Sequence, residues 1–184
     1  MRPNPFQTMR VDGADLVIRR GAMPEEIHTF ATPAQAAGRA ADIDEAFSWV
    51  GTPFRNCANI KGPNGAVDCA MCIATILIAT GRIPPFDPRP YSPAALLHSS
   101  EEIGLAWMDK LGAREIETPR PGDVGIWQFG RIFFHYGLVI NATEIIHAFR
   151  PAGFVTLARM DEAFLMEIRR GVRRPVKYFD VWKA

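Results

Sequence analysis

Residues 67–81 read VDCAMCIATILIATG, an apolar run that begins after Asp68 and ends at Gly81. Counted from Cys69, a second cysteine and large aliphatic side chains recur 3, 4, 7 and 8 positions later. This spacing is typical of a helix with one buried face. The sequence therefore predicts a buried helix with Cys69 in its first turn. Asp68 is a residue type that caps helix N-termini, and it can cap this one.

The second half of the chain has the pattern of strands. Short β-rich segments separated by Gly, Asn or Pro predict a run of antiparallel hairpin strands, at 124–129, 132–140, 144–149 and 154–157. A short helix at 161–168 and a strand at 176–179 complete this half. Helices first and antiparallel strands second indicate an α+β domain.

The N-terminal segment differs from the rest. Residues 1–41 are interpreted as an arm, and residues 42–184 as the domain. Within the arm, Asp12-Gly13 predicts the turn of a small hairpin. Because the arm holds few large apolar side chains, we expect it to contribute little to the core and to be ordered by docking onto partner subunits.

Two more helices are predicted. Thr32-Pro33 is typical of a helix N-terminus, so a helix that ends near Val50 begins either there or at Asp42. Another helix is predicted to begin at Ser92-Pro93 and to reach about Leu111.

Composition excludes several classes of protein. The chain has 184 residues, which suits one domain, and its 21 Lys and Arg against 20 Asp and Glu give a net charge of +1. This balance gives no support to binding of nucleic acid or to a polybasic membrane contact. The sequence begins without the apolar run of a signal peptide, and its most apolar stretch is far shorter than the roughly 20 residues of a membrane span. We therefore expect synthesis in the cytoplasm and no membrane insertion.

The three cysteines, at positions 57, 69 and 72, are too few for a disulfide framework. The spacing of Cys69 and Cys72 also occurs in half a zinc site and in redox motifs. Zinc needs two more ligands, and Cys57 and His98 offer no second close spacing. A redox pair would follow a strand, whereas a Gly-Pro-Asn-Gly loop precedes Cys69.

Cys69 is the candidate nucleophile. The exposed N–H groups and the dipole at a helix N-terminus favour an anion, so a thiol there ionises more readily. His135 and His147 are 12 residues apart on consecutive predicted strands, so antiparallel pairing can place both imidazoles on one face of the sheet. A cysteine nucleophile needs a base and a group that orients the base, and these three residues can fill those roles.

Five motifs occur in the order found in one known family: WVGTPFR at 49–55, VDC at 67–69, PGDV at 121–124, HYGL at 135–138 and IHAF at 146–149. On these motifs, over roughly residues 42–180, the chain resembles the NlpC-type cell-wall peptidases, a papain-like group, and especially their phage-tail members.

The resemblance implies a cysteine-bearing helix packed on an antiparallel sheet, with Cys69 as nucleophile, His135 as base and His147 as the orienting residue. It also implies substrate binding by Asp68, which can hold a substrate ammonium as well as cap the helix. A second substrate contact is expected at Phe54, where the family usually has Tyr. No metal or organic cofactor is needed.

The function implied is hydrolysis of amide bonds in peptidoglycan stem peptides, typically after a D-γ-glutamyl residue. Phage-tail members are thought to open the wall for genome delivery, so we expect a place in a phage or phage-like tail with tail-tip proteins as partners. Two alternatives remain: a structural tail component that has lost activity, and a related acyl chemistry on a different amide.

Overall fold

The computed structural model describes residues 7–92, 98, 100–161, 166–167 and 172–182. Its helices are α1 (Pro33–Trp49), α2 (Cys69–Ala79) and α3 (Ile103–Lys110). Its strands are β1 (Gln7–Asp12), β2 (Asp15–Arg20), β3 (Glu26–Thr29), β4 (Asn59–Ile60), β5 (Ala66–Val67), β6 (Arg114–Ile116), β7 (Val124–Phe129), β8 (Ile132–Val139), β9 (Glu144–Phe149), β10 (Phe154–Arg159), β11 (Met166–Glu167), β12 (Val172–Arg173) and β13 (Val176–Asp180). Within this part of the chain, no helix has the length and apolarity that crossing a membrane requires.

Helix α2 lies at the centre of the fold, as its periodicity predicts. It begins at Cys69, and the Asp68 carboxylate accepts a hydrogen bond of 2.9 Å from the N–H of Met71. The predicted cap is therefore present. Cys72 and Ile76 are fully buried, and the helix packs on α1 and on β8 and β9.

A six-stranded antiparallel sheet carries the helices, with strand order β10-β9-β8-β7-β13-β6. The predicted hairpin run and the last strand are confirmed. Helices on one face of an antiparallel sheet form the predicted α+β architecture.

Two predicted helices differ from the structure. The helix predicted from Ser92-Pro93 to about Leu111 is interrupted: His98 is helical, residues 100–102 are not, and α3 spans Ile103–Lys110, while residues 93–97 and 99 lie outside the described residues. The predicted helix at 161–168 is wrong at Met166–Glu167, because this pair forms strand β11 against Val172–Arg173. Residues 162–165 and 168 lie outside the described part.

The N-terminal segment forms the predicted hairpin, with Asp12 opposite Asp15 and Gly13 at a positive φ. Helix α1 begins at Pro33, the first of the two predicted starts, and the Thr32 side chain accepts from the N–H of Gln35. The boundary between residues 41 and 42 therefore falls inside a helix.

Residues 7–41 contribute more to the core than the sequence suggests. Leu16, Ile18 and Phe30 are at most 4% exposed and belong to the main hydrophobic cluster. The few apolar side chains of this segment are spread along the sequence, but alternation along β2 places Leu16 and Ile18 on one face, and β1 and β2 contact α1. Docking of the segment onto partners stays a prediction.

Candidate active site

The thiol of Cys69 lies against strand β8. Cys69 is the first residue of α2, and its thiol donates to the carbonyl oxygen of Phe134 at 3.7 Å. Burial, followed by the adjacent Asp68 charge, raises the pKa of Cys69 to about 12. The expectation of an easily ionised thiol is therefore not met, because removal from water outweighs the effect of the helix N-terminus.

A β-bulge lies at this contact. Trp127 pairs with His135 and Gln128 pairs with Phe133, so Phe134 is the extra residue on β8. The side chains of Phe133 and Phe134 both pack on the main cluster. Bulges are frequent next to active sites because they change the direction of a neighbouring side chain.

The two candidate histidines are in contact. His135 Nε2 lies 2.8 Å from His147 Nδ1, so one of these nitrogens donates to the other. The predicted position of both imidazoles on one face is therefore confirmed. Burial, with the charge of Arg174 as a smaller cause, lowers the pKa of His135 to about 3. Burial and then His135 lower the pKa of His147 well below its usual value, so both rings are neutral near pH 7.

The imidazoles and the thiol approach β8 from different faces. The His135 ring lies beside Trp127 and Phe129, at centroid distances of 6.4 and 4.9 Å. Tyr136 and Leu138, which alternate with His135, point into the main cluster with α2. The expectation that His135 faces the N-terminus of α2 therefore differs from the structure, because these alternate side chains occupy the helix face.

The β8–β9 ladder is short at this place. It pairs Leu138 with Ile146 and Val139 with Ile145, and both histidines lie beyond these pairs. Cys69 contacts the backbone of the residue immediately before His135. The structure thus brings His135 and His147 together. It places the Cys69 thiol against the carbonyl of Phe134, the residue before His135 on β8. A direct contact between thiol and imidazole stays a prediction.

Asp68 has more partners than a cap requires. Besides Met71, its carboxylate accepts from the N–H of Cys57 at 2.6 Å and from the Tyr91 hydroxyl, which lies 2.7 and 2.6 Å from its two oxygens. Tyr91 and Cys57 were not predicted as site residues. Tyr91 follows a proline-rich connection without periodicity, and its contact with Asp68 spans 23 residues, so no local signal marks it.

The other two predicted residues, Phe54 and Cys72, pack against or inside the main hydrophobic cluster. Phe54 packs on the main cluster, its N–H donates to the carbonyl of Gly153, and it bridges to Val67 beside Asp68. Cys72 is fully buried. Among the described residues, no group of three or more His, Cys, Asp or Glu side chains is placed to hold a metal ion.

No protein-family model matches the chain, and no curated protein matches it either. Solved structures do resemble it. The peptidoglycan hydrolase RipB of Mycobacterium tuberculosis is 18% identical, with a TM-score of 0.52 over 80% of this chain and 66% of RipB. The P60 domain of an antigen from Mycobacterium avium subspecies paratuberculosis is 15% identical, with a TM-score of 0.52 over 80% of this chain and 97% of that domain.

A third similar structure is NlpC1 of Trichomonas vaginalis, 13% identical, with a TM-score of 0.53 over 93% of this chain and 56% of NlpC1. At such identities the similarity establishes the fold alone. The predicted fold, a papain-like α+β domain with a cysteine-bearing helix on an antiparallel sheet, is thereby confirmed.

Proposed function

We propose that this chain is a cysteine peptidase that hydrolyses amide bonds in peptidoglycan stem peptides. The observation that carries the proposal is the 2.8 Å contact between His135 and His147, one residue from the carbonyl that the Cys69 thiol contacts. Two of the similar folds also support it, since one is named a peptidoglycan hydrolase and the other a P60 domain.

In the proposed mechanism His135 acts as the base. Its Nε2 contact with His147 fixes the ring, and Nδ1 accepts the thiol proton as sulfur attacks the carbonyl carbon of the substrate amide. The backbone N–H groups at the first turn of α2, including that of Cys69, stabilise the resulting oxyanion.

The tetrahedral intermediate then collapses. The leaving amine takes the proton from His135, and a thioester with Cys69 remains. Water attacks this thioester with His135 again as base, and the thiol is regenerated. The reaction consumes only water besides the substrate, so the proposal includes no metal or organic cofactor.

In the empty site the thiol and the imidazole are both neutral, and their pKa values of about 12 and about 3 oppose proton transfer between them. With a pKa of about 12, the thiol of Cys69 is neutral at pH 7 before substrate arrives. His135 is also neutral, as a base must be to accept a proton. The thiol proton therefore moves in the substrate complex, after the thiol leaves the Phe134 carbonyl. Because the thiol and the imidazoles approach β8 from different faces in the empty site, the proposed mechanism also requires the backbone at the Phe134 bulge to turn the His135 imidazole toward the N-terminus of α2 when substrate binds.

The biological setting is part of the same proposal. The sequence resemblance to phage-tail members supports a place in a phage or phage-like tail, where the enzyme would open the cell wall. Tail-tip proteins are the proposed partners, with residues 1–41 as the docking segment.

A second candidate is an inactive structural component of such a tail. The hydrogen bond of the Cys69 thiol to a carbonyl and its raised pKa favour this candidate. The paired histidines oppose it, because an imidazole held by a second polar residue is the arrangement that a cysteine nucleophile requires of its base.

Incubation with peptidoglycan fragments, followed by mass spectrometry of the products, tests the two candidates. The peptidase proposal expects new amino and carboxyl termini within stem peptides, loss of cleavage in Cys69→Ala, and retained cleavage in Cys72→Ala. Cys72 is the matched control because it is the second thiol of α2 and is buried in the core. Equal results from wild type and Cys69→Ala would favour the structural candidate.

A further inference from the structure

The carboxylate of Asp68 is adjacent in sequence to the proposed nucleophile. A carboxylate in this position would attract the ammonium group of a substrate with a free amino terminus. In this chain its oxygens already have partners. One oxygen accepts from the N–H of Met71, the other accepts from the N–H of Cys57, and the Tyr91 hydroxyl lies within hydrogen-bond distance of both. Only 3% of Asp68 is exposed.

Contacts on several sides hold Tyr91 in this place. Its ring packs against Phe134 and Trp107, with centroids 5.4 and 5.6 Å away. Its carbonyl accepts from the thiol of Cys57 at 3.3 Å, and the carbonyl of Cys57 accepts from Arg89 at 3.2 Å. The loop that carries Tyr91 is therefore tied to Cys57 at two residues.

Burial and the Asp68 charge raise the pKa of Tyr91 far above its usual value, so the hydroxyl keeps its proton and remains a donor. An incoming ammonium would have to displace this hydroxyl. The displaced hydroxyl would then remain among aromatic rings without its partner, and the ammonium would lose its hydration. Both costs oppose binding of a free amine at Asp68.

We propose that Tyr91 is a specificity-determining residue that closes Asp68 to substrate amines, so that the enzyme acts preferentially on stem peptides whose amino terminus is acylated. Acylated stems are those still attached to the wall polymer. This inference rests on the proposed peptidase function and specifies its substrate class.

Two synthetic stem tetrapeptides test the inference, identical except that one carries an N-acetyl group. We expect wild type to show a higher kcat/KM on the acetylated peptide. Tyr91→Phe removes only the hydroxyl and should lower KM for the free-amine peptide by about tenfold, the effect of one new charge-assisted hydrogen bond. KM for the acetylated peptide should change much less. The double variant Tyr91→Phe/Asp68→Asn should lose this gain, because Asn retains a capping side chain without the charge.

The overturning result is a wild-type preference for the free-amine peptide, together with a KM increase for that peptide alone in Asp68→Asn. That result would mean that Asp68 binds the ammonium with Tyr91 in place. Thermal unfolding of each variant separates these effects from loss of the fold.

Calorimetric binding of the two peptides to Cys69→Ala, with and without Tyr91→Phe, makes the same comparison without turnover. If wild type cleaves neither peptide, the peptidase proposal fails, while binding still decides the inference. Tighter binding of the acetylated peptide, reversed by Tyr91→Phe, supports it. Equal or absent binding overturns it.

Discussion

Arg39 on helix α1 and Asp180 at the end of strand β13 form a buried ion pair of 2.8 Å across 141 residues of sequence. The same guanidinium also pairs with Asp123 at 2.7 Å and donates to the carbonyl of Pro121. Helix α1 is thereby fixed to two strands of the main sheet. Helix α1 and strand β13 belong to one folded unit through this cluster.

Replacing Arg39 should strongly destabilise the protein. Arg39→Met keeps much of the side-chain volume but leaves the buried Asp123 without its charged partner. It leaves Asp180 with only the more exposed Arg114 and Arg120, and breaking a buried pair typically costs about 3–5 kcal/mol. The free energy of unfolding in urea measures this loss. The matched control is Arg120→Met. The Arg120 guanidinium also reaches Asp180 but is 38% exposed, so removing it should lower the free energy of unfolding by no more than about 1 kcal/mol. Equal losses in both variants would contradict the special role of Arg39.

The N-terminal sheet should be needed for stability. Leu16 on β2 is fully buried in the main cluster, so Leu16→Ala should lower the free energy of unfolding by about 2–5 kcal/mol. Ile27→Ala on the adjacent strand β3 should change it by at most about 0.5 kcal/mol, because Ile27 is 61% exposed. Urea denaturation of both variants provides the measurement. A neutral effect of Leu16→Ala would restore the interpretation of residues 1–41 as an arm outside the core.

Local patterns predicted what depends on local structure. The periodicity after Asp68 predicted α2, and the 12-residue spacing of His135 and His147 predicted their contact. A turn between two strands fixes register over a few residues, so such a pair can be inferred from spacing alone.

Long-range contacts were not predictable in the same way. The bulge at Phe134 depends on pairing with β7, and the bond between Tyr91 and Asp68 joins segments that share no periodicity. The pKa of Cys69 depends on how deeply the thiol is buried after packing, which the helix position alone does not determine. These are also the features that control the chemistry of the site.

The reactivity of Cys69 should follow its raised pKa. Because the thiolate reacts with iodoacetamide and the thiol does not, labelling of Cys69 should be slow at pH 7 and should increase steadily up to about pH 10. Mass spectrometry of the labelled peptides gives the rate at each thiol, and urea-unfolded protein gives the reference rate. Labelling of Cys69 at pH 7 faster than in the unfolded chain would instead support the easily ionised thiol expected from the helix N-terminus.

The buried histidine pair should make stability depend on pH. In the unfolded chain an imidazole has a pKa near 6.5, whereas burial lowers the pKa of His135 to about 3 in the folded protein. Between these values the unfolded state binds a proton that the folded state does not bind. The contribution of His135 to the free energy of unfolding is therefore complete above pH 6.5 and is lost as the pH falls toward 3.

Each such histidine contributes a slope of about 1.4 kcal/mol per pH unit within its window. We therefore expect the free energy of unfolding of wild type to fall from pH 6.5 to pH 4, and the slope in His135→Gln to be smaller by about that amount. Urea denaturation at several pH values measures both slopes. The matched control is His98→Gln, which removes an exposed histidine and separates the loss of a buried imidazole from the loss of a histidine as such. If wild type and His135→Gln have the same slope, the pKa of His135 is the same in the folded and unfolded protein, which would contradict the lowered pKa of the buried imidazole.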